Sequence, residues 1–256
     1  MSVDDVLSLQ LWTLRDVGDL PAQLAIARQA GYERVEPIGG HLADPEGTRL
    51  ALAAEGLTAP TTHVGLDALR QDIDAVIEAC QALEIGQAFM PAVPGDERAN
   101  RDRDYWHGIG AELGRMADLF SGEGIVLGFH NHDWDFAEVA PGESALDALF
   151  AGAGAAPLAW EADVAWIARS GISVDDALKR HANRLVAAHV KDIAPAGQNL
   201  DQDGWSDVGA GTLDWTALWP LCRELGAEWM VVEHDKPADP AGFAAASRAY
   251  LKANAV

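Results

Sequence analysis

Residues 120–132, FSGEGIVLGFHNH, hold the fold in miniature: a helix end, a glycine, a short apolar run, and a polar cluster where that run stops. Gly124 stands where a helix must end in a left-handed conformation that glycine alone adopts cheaply. The run after it is apolar without alternation, as a strand buried on both faces of a parallel sheet requires. The same unit recurs in ARQAGYERVEPI (27–38), LAAEGLTAPTTHV (52–64) and CRELGAEWMVVEH (222–234), with Gly31, Gly56 and Gly226 in the equivalent place.

Extending this reading along the chain gives eight strand candidates, near residues 7–12, 33–37, 59–64, 87–91, 125–132, 158–163, 185–191 and 229–233. Helical patterns separate most of them. Leu69, Ile73, Val76, Ile77, Cys80 and Leu83 form one apolar face, with Arg70, Asp72, Asp74 and Glu78 opposite. Ile109, Leu113, Met116, Ala117 and Phe120 form another. Asp19 before Leu20-Pro21 and Asp214 before Trp215 read as helix starts; Pro220 weakens the regularity of the second. Eight units in 256 residues leave about 32 for each, so the expected fold is α/β, a single (β/α)8 TIM barrel spanning 1–256. An open doubly wound sheet is the alternative, and the lack of G-x-G-x-x-G after the first strand argues against its dinucleotide-binding form.

Composition narrows the function. With 18 Lys+Arg against 40 Asp+Glu, the net charge of −22 repels phosphate backbones and anionic membranes, so neither nucleic acid nor a membrane surface is expected as a partner. No apolar run reaches the roughly 18 residues of a membrane span. The start, MSVDDVLSLQLW, lacks the basic-then-apolar order of a secretory signal. A cytoplasmic protein is expected, and homo-oligomers are compatible with the sequence. Cys80 and Cys222 fall on apolar helical faces and read as core residues.

Barrel active sites lie at the C-terminal ends of the strands. Those ends carry groups that an apolar strand has no structural need of: Glu36, His63, His130 and His132, Glu161 and Asp163, His189 and Lys191, and Glu233. Strand residues two apart share a face, so these groups aim into one barrel mouth. Crowded there without a counter-charge they would repel and desolvate one another. One divalent metal ion is the economical partner, and the imidazole and carboxylate donors suit Mn, Co, Zn or Fe(II), with Mg less favoured. Glu161 is read either as a direct contact or as a support for a ligand, and Glu36 and His63 as substrate contacts. Trp12, Trp134 and Trp166 lie near strand ends, where a ring can stack on a sugar. His41, His107 and His181 are expected to be solvated.

The stretches LQLWTLR, AGYERVEP, LGFHNHDWDF, WEADVAW, AAHVKD, VGAGTLDW and VVEHD run in order from residue 9 to residue 235. In them the chain resembles the xylose isomerase-like TIM barrels, and within these the sugar phosphate isomerase/epimerase group. That superfamily commonly holds a divalent metal on a Glu, an Asp, a His and a second Glu from strands five to eight. The resemblance implies Asp163, His189 and Glu233 as three ligands. It departs at the first, where His130 stands in place of glutamate; His130 is the expected ligand, and His132 the alternative.

The resemblance further implies an isomerase or epimerase that works through an enediolate on a keto- or aldo-sugar. His132 and Glu233 would act as acid and base, with Lys191 stabilising the developing oxyanion; Trp12, Glu36, His63 and Glu161 would contact the substrate. A β-eliminating lyase on an oxidised sugar or glycoside uses the same site and is the runner-up. A non-catalytic sugar-binding barrel ranks lower. The acidic charge and missing extra ligands disfavour a DNA-repair nuclease. Gly209 and Gly211 could offer amides to a phosphate, but cations are sparse there, which leans towards a neutral substrate.

Overall fold

The computed structural model describes residues 2–95 and 102–255. Its main sheet has eight strands: β1 (Leu7–Gln10), β2 (Val35–Glu36), β3 (Thr61–His63), β4 (Gln87–Met90), β5 (Val126–His130), β6 (Ala159–Asp163), β7 (Leu185–Val190) and β8 (Trp229–Val232). All pair in parallel, in the order β2-β1-β8-β7-β6-β5-β4-β3. The two ends of that order meet through bridges from Arg34 to Thr58 and from Ile38 to His63, which curl the sheet into a barrel. The Val35 amide donates to the Thr58 carbonyl at 2.9 Å and the His63 amide to the Pro37 carbonyl at 3.0 Å across this seam. The barrel is therefore the observed architecture, not the open sheet.

Ten helices surround the strands among the described residues: α1 (Leu20–Gln29), α2 (Pro45–Glu55), α3 (Leu66–Gln71), α4 (Ile73–Ala82), α5 (Arg103–Gly122), α6 (Ala145–Ala153), α7 (Val164–Arg169), α8 (Val174–Arg180), α9 (Trp215–Glu224) and α10 (Pro240–Asn254). Gly31, Gly56, Gly124 and Gly226 all have positive φ, as the repeated unit demands. Pro220 sits inside α9 without ending it. None of the described helices is long and apolar enough to cross a membrane. Part of the acidic excess caps helix starts: Asp19, Asp44, Asp72 and Asp239 each accept a backbone amide three residues on.

Three details differ from the sequence reading. The apolar face from Leu69 to Leu83 belongs to two helices, because Asp72 leaves the helical conformation and caps α4 through the Ala75 amide. Strands one and five stop at Gln10 and His130, each followed by a short 3₁₀ turn. Of the histidines expected in solvent, only His107 is exposed. His41 accepts the Ile38 amide through Nδ1. His181 packs on Phe150 and Trp160 and places Nε2 3.1 Å from Asp147 Oδ1; periodicity alone does not reveal such a partner.

Burial works against the Asp147 charge, but hydrogen bonds from His181 and Ser144 and the charge of Arg180 hold its carboxyl well below the usual range. A lowered folded-state pKa gives stability that is present above about pH 4 and lost as pH falls towards the folded value. Asp147→Asn should remove about 1 kcal/mol at neutral pH and flatten the acid limb of a melting-temperature profile. An unchanged acid limb would refute this role.

Helices α5 and α6 approach through glycines. An alanine methyl at Gly110 would overlap the Leu149 carbonyl, and one at Gly152 the His107 carbonyl. Gly110→Ala should lower stability by about 1–3 kcal/mol through this overpacking, read by denaturant unfolding. It should do so although alanine favours the helix itself.

Candidate metal centre and active site

Strand register decides which side chains meet. Gln10 pairs with Glu36, His130 with Glu161, and Asp163 with His189, so neighbouring strands deliver their polar residues in adjacent layers. A register shift between Trp160 and Glu161 accompanies the pairing of β6 with β7. Asn131, just past β5, ties that strand to β6: its Oδ1 accepts from Trp160 Nε1 at 2.9 Å and from the Asp163 amide at 3.0 Å.

Two imidazoles stand between two carboxylate groups. On one side, His130 Nε2 lies 3.7 Å from Asp163 Oδ2, and His189 Nδ1 lies 3.9 Å from Asp163 Oδ2 and 2.9 Å from Glu233 Oε2. On the other, His130 Nδ1 lies 3.0 Å from Glu161 Oε2, while His189 Nε2 lies 3.2 Å from Glu161 Oε2 and 2.9 Å from Glu36 Oε1. His63 Nε2 joins this second group, 2.6 Å from Glu161 Oε2 and 3.1 Å from Glu36 Oε1. Gln10 Nε2 donates to Glu36 Oε1 at 2.6 Å. All these side chains are buried.

Both groups have the composition of a metal site: Asp163, His189 and Glu233 form one, and His63, His130, Glu161 and His189 the other, with donor atoms within 4.8 Å of one another in each. A first-row ion held at about 2.0–2.2 Å spaces its ligand atoms some 3 Å apart, so neither group needs more than small side-chain shifts to bind one. Asp163 divides its two oxygens. Oδ1 caps α7 by accepting the Trp166 amide at 2.9 Å, and Oδ2 is buried without a hydrogen-bond partner. Glu161 Oε1 and Glu36 Oε2 are likewise unpartnered. Burial, only partly opposed by Lys191, pushes the Asp163 carboxyl up to about 6; burial and the charge of Glu161 raise that of Glu36. The donor set therefore fits a divalent cation, which would engage carboxylate oxygens that accept no hydrogen bond and offset the crowded charge.

Beside these groups lies a cavity of about 630 Å³ lined by His63, His130, His132 and Glu233, with Trp12, Trp134 and Trp166 also in its wall. His132 stacks on Trp134 with ring centroids 4.2 Å apart and leaves Nδ1 buried and unpartnered. Burial first, then the charges of His130 and Lys191, hold its pKa well below the usual value, so the ring is neutral. For Glu233, burial is outweighed by Lys191 and His189, which keep the carboxylate ionised. Trp12 is 41% exposed at the rim, with the Arg15 guanidinium 4.2 Å from its ring centroid.

The predicted residues thus converge, although not all in the expected positions. Glu36 and Glu161 do not line the cavity; they lie beneath the imidazoles, because their strand positions point them one layer down. The Lys191 ammonium is engaged by three carboxylates, 2.6 Å from Asp235, 3.1 Å from Glu233 and 3.3 Å from Asp163. In the structure it balances carboxylate charge. Gln10, Asn131 and Asp235 were not singled out from sequence. For Gln10 a signal existed: it is the polar end of an otherwise apolar strand, Leu7–Gln10.

A sequence search of curated proteins finds no match. A family model described as xylose isomerase-like TIM barrel matches residues 24–254. The backbone is similar to a sugar phosphate isomerase/epimerase from Parabacteroides distasonis ATCC 8503, with TM-score 0.77 and 18% identity over 97% of this chain and 94% of that one. It is also similar to the IOLI protein with a bound zinc atom, at TM-score 0.77, 12% identity and 98% of both chains. A third similar structure is the 3-keto-D-glucoside 4-epimerase YcjR from E. coli, at TM-score 0.70, 17% identity, 96% of this chain and 98% of that one.

Proposed function

The chain belongs to the xylose isomerase-like TIM barrel family, and from that premise we propose that it is a divalent-metal-dependent sugar isomerase or epimerase acting through an enediolate. The observation that carries this reading is the gathering of His130 Nε2, His189 Nδ1 and Glu233 Oε2 with Asp163 Oδ2, a buried oxygen that accepts no hydrogen bond, next to the cavity that His130 and Glu233 line. His130, Asp163, His189 and Glu233 would hold the ion, and two imidazoles with two carboxylates suit Mn, Co, Zn or Fe(II) before Mg. When bound, the ion would polarise a sugar carbonyl and so acidify the neighbouring C–H. The zinc of the IOLI protein and the keto-glucoside chemistry of YcjR support the same reading.

The protein's own groups carry the proton. His132, neutral and lining the cavity, takes it from the carbon next to the carbonyl. Glu233, ionised beside Lys191, serves as the second acid/base. Return of the proton from the opposite face epimerises the carbon; return to the adjacent carbon isomerises the sugar. Glu161 and Glu36 would fix the orientation of His63, His130 and His189 by engaging a ring nitrogen of each. Trp12 offers an aromatic face to the distal part of the sugar.

The test is metal analysis of the purified protein, followed by exchange of sugar α-protons with solvent deuterium. Bound or activating divalent metal, metal-dependent exchange, and a product with the substrate's formula are expected. A product that has lost water or an alcohol would make it a lyase. Absence of any binding or activating metal would remove the proposal.

A further inference from the structure

We infer that the sugar taken by this site is uncharged and carries no phosphate, a narrowing that rests on the isomerase/epimerase reading above. In (β/α)8 barrels a phosphate is commonly held by backbone amides of the loops after strands seven and eight. This chain has such a loop after β7, Val208–Leu213 with Gly209 and Gly211, and its amides are taken. Asp192 Oδ2 accepts from the Gly209 amide at 2.9 Å and from the Gly211 amide at 3.3 Å. Asp192 Oδ1 accepts from the Leu213 amide at 3.0 Å and from its neighbour Ile193 at 2.9 Å. Four donors thus converge on one buried carboxylate of the chain itself. The approach is close enough that a methyl at Gly211 would overlap the Asp192 carboxylate. A phosphate could enter only by expelling Asp192 or by lying against its charge.

The cavity offers no replacement among the described residues. Its lining cations are Arg15 and Lys236. Arg15 donates to the Trp12 carbonyl at 2.7 Å and to the Asp235 carbonyl at 2.6 Å, and Lys236 Nζ lies 3.3 Å from Asp203 Oδ1. Facing them are the carboxylates of Asp203, Glu233 and Asp235. A phosphate ester adds nearly two further negative charges to that wall. Trp12, Trp134 and Trp166 supply the handle instead, through apolar faces that pack on the C–H face of a sugar ring.

The experiment compares, on the metal-loaded protein in deuterium oxide, a panel of keto- and aldo-sugars, free and as methyl glycosides, each beside its phosphate ester. The unphosphorylated member should exchange its α-proton with a kcat/KM about 100-fold higher or more, since setting like charges together is costly. Inorganic phosphate and glycerol phosphate should leave tryptophan fluorescence and exchange unchanged at millimolar concentration. Faster exchange of the phosphate esters would overturn the inference. So would saturable binding of inorganic phosphate that Arg15→Ala weakens. If no sugar exchanges in either form, the isomerase/epimerase reading fails, and the phosphate titration still decides the charge question: binding refutes it, and no binding supports it.

Discussion

Replacement of His132 by alanine is expected to lower α-proton exchange by about 10²–10⁴-fold, the usual worth of a positioned general acid or base, and to leave the metal content unchanged. The separation follows from where the residue sits. His132 lines the cavity and stacks on Trp134, and its Nδ1 has no protein partner. Its backbone amide donates to Asp135 Oδ2 at 2.7 Å, and a main-chain bond of this kind survives loss of the ring, so the substitution spares the local turn. The neighbouring His130, by contrast, has both ring nitrogens facing carboxylates. Exchange followed by proton NMR, with elemental analysis of the same sample, measures both halves of the expectation. If His132→Ala instead loses the ion and His130→Ala keeps it, the ligand assignment passes to His132. Full exchange in His132→Ala would leave Glu233 as the sole base.

Glu161→Gln is expected to weaken metal binding by about 10–100-fold without abolishing it. One carboxylate oxygen, Oε2, lies 2.6 Å from His63 Nε2, 3.0 Å from His130 Nδ1 and 3.2 Å from His189 Nε2. An amide keeps the shape but removes the charge that orients three buried rings. Loss of one partner from a buried charged network costs about 3–5 kcal/mol, so the metal-free variant should also melt earlier. Metal titration decides between two arrangements. If Glu161 itself holds the ion with His63, His130 and His189, the glutamine variant loses binding altogether. If it only orients the ligands, binding survives with reduced affinity and excess metal restores exchange.

Much of this arrangement was legible because it obeys two short-range rules. Glycine after a helix, followed by an unbroken apolar run, marks each βα junction, and positive φ at Gly31, Gly56, Gly124 and Gly226 meets it. A charged residue at the end of such a run has no packing reason to be there, which picked out His130, Asp163, His189 and Glu233. What was not legible depends on neighbours distant in sequence. Asp235 acquires its role from Lys191, 44 residues away, and Gln10 from Glu36, 26 residues away. The need for glycine at 110 and 152 arises only from the contact of α5 with α6. His181 looked solvated until Asp147 was placed beside it.

The sequence by itself determined the barrel, the eight strand positions and the family of residues at the mouth, because strand and helix periods and glycine conformations are local properties of the chain. Only the tertiary structure decided which oxygen or nitrogen faces which partner. Register set His130 beside Glu161 and Asp163 beside His189. Helix capping consumed one Asp163 oxygen and left the other without a hydrogen bond, 3.3 Å from Lys191 Nζ. Closure of the loop after β7 placed Asp192 on the glycine amides. These outcomes come from distances of a few ångströms between strands and loops far apart in the chain, and hydrogen-bond and Coulomb energies depend on those distances in a way that no residue pattern records.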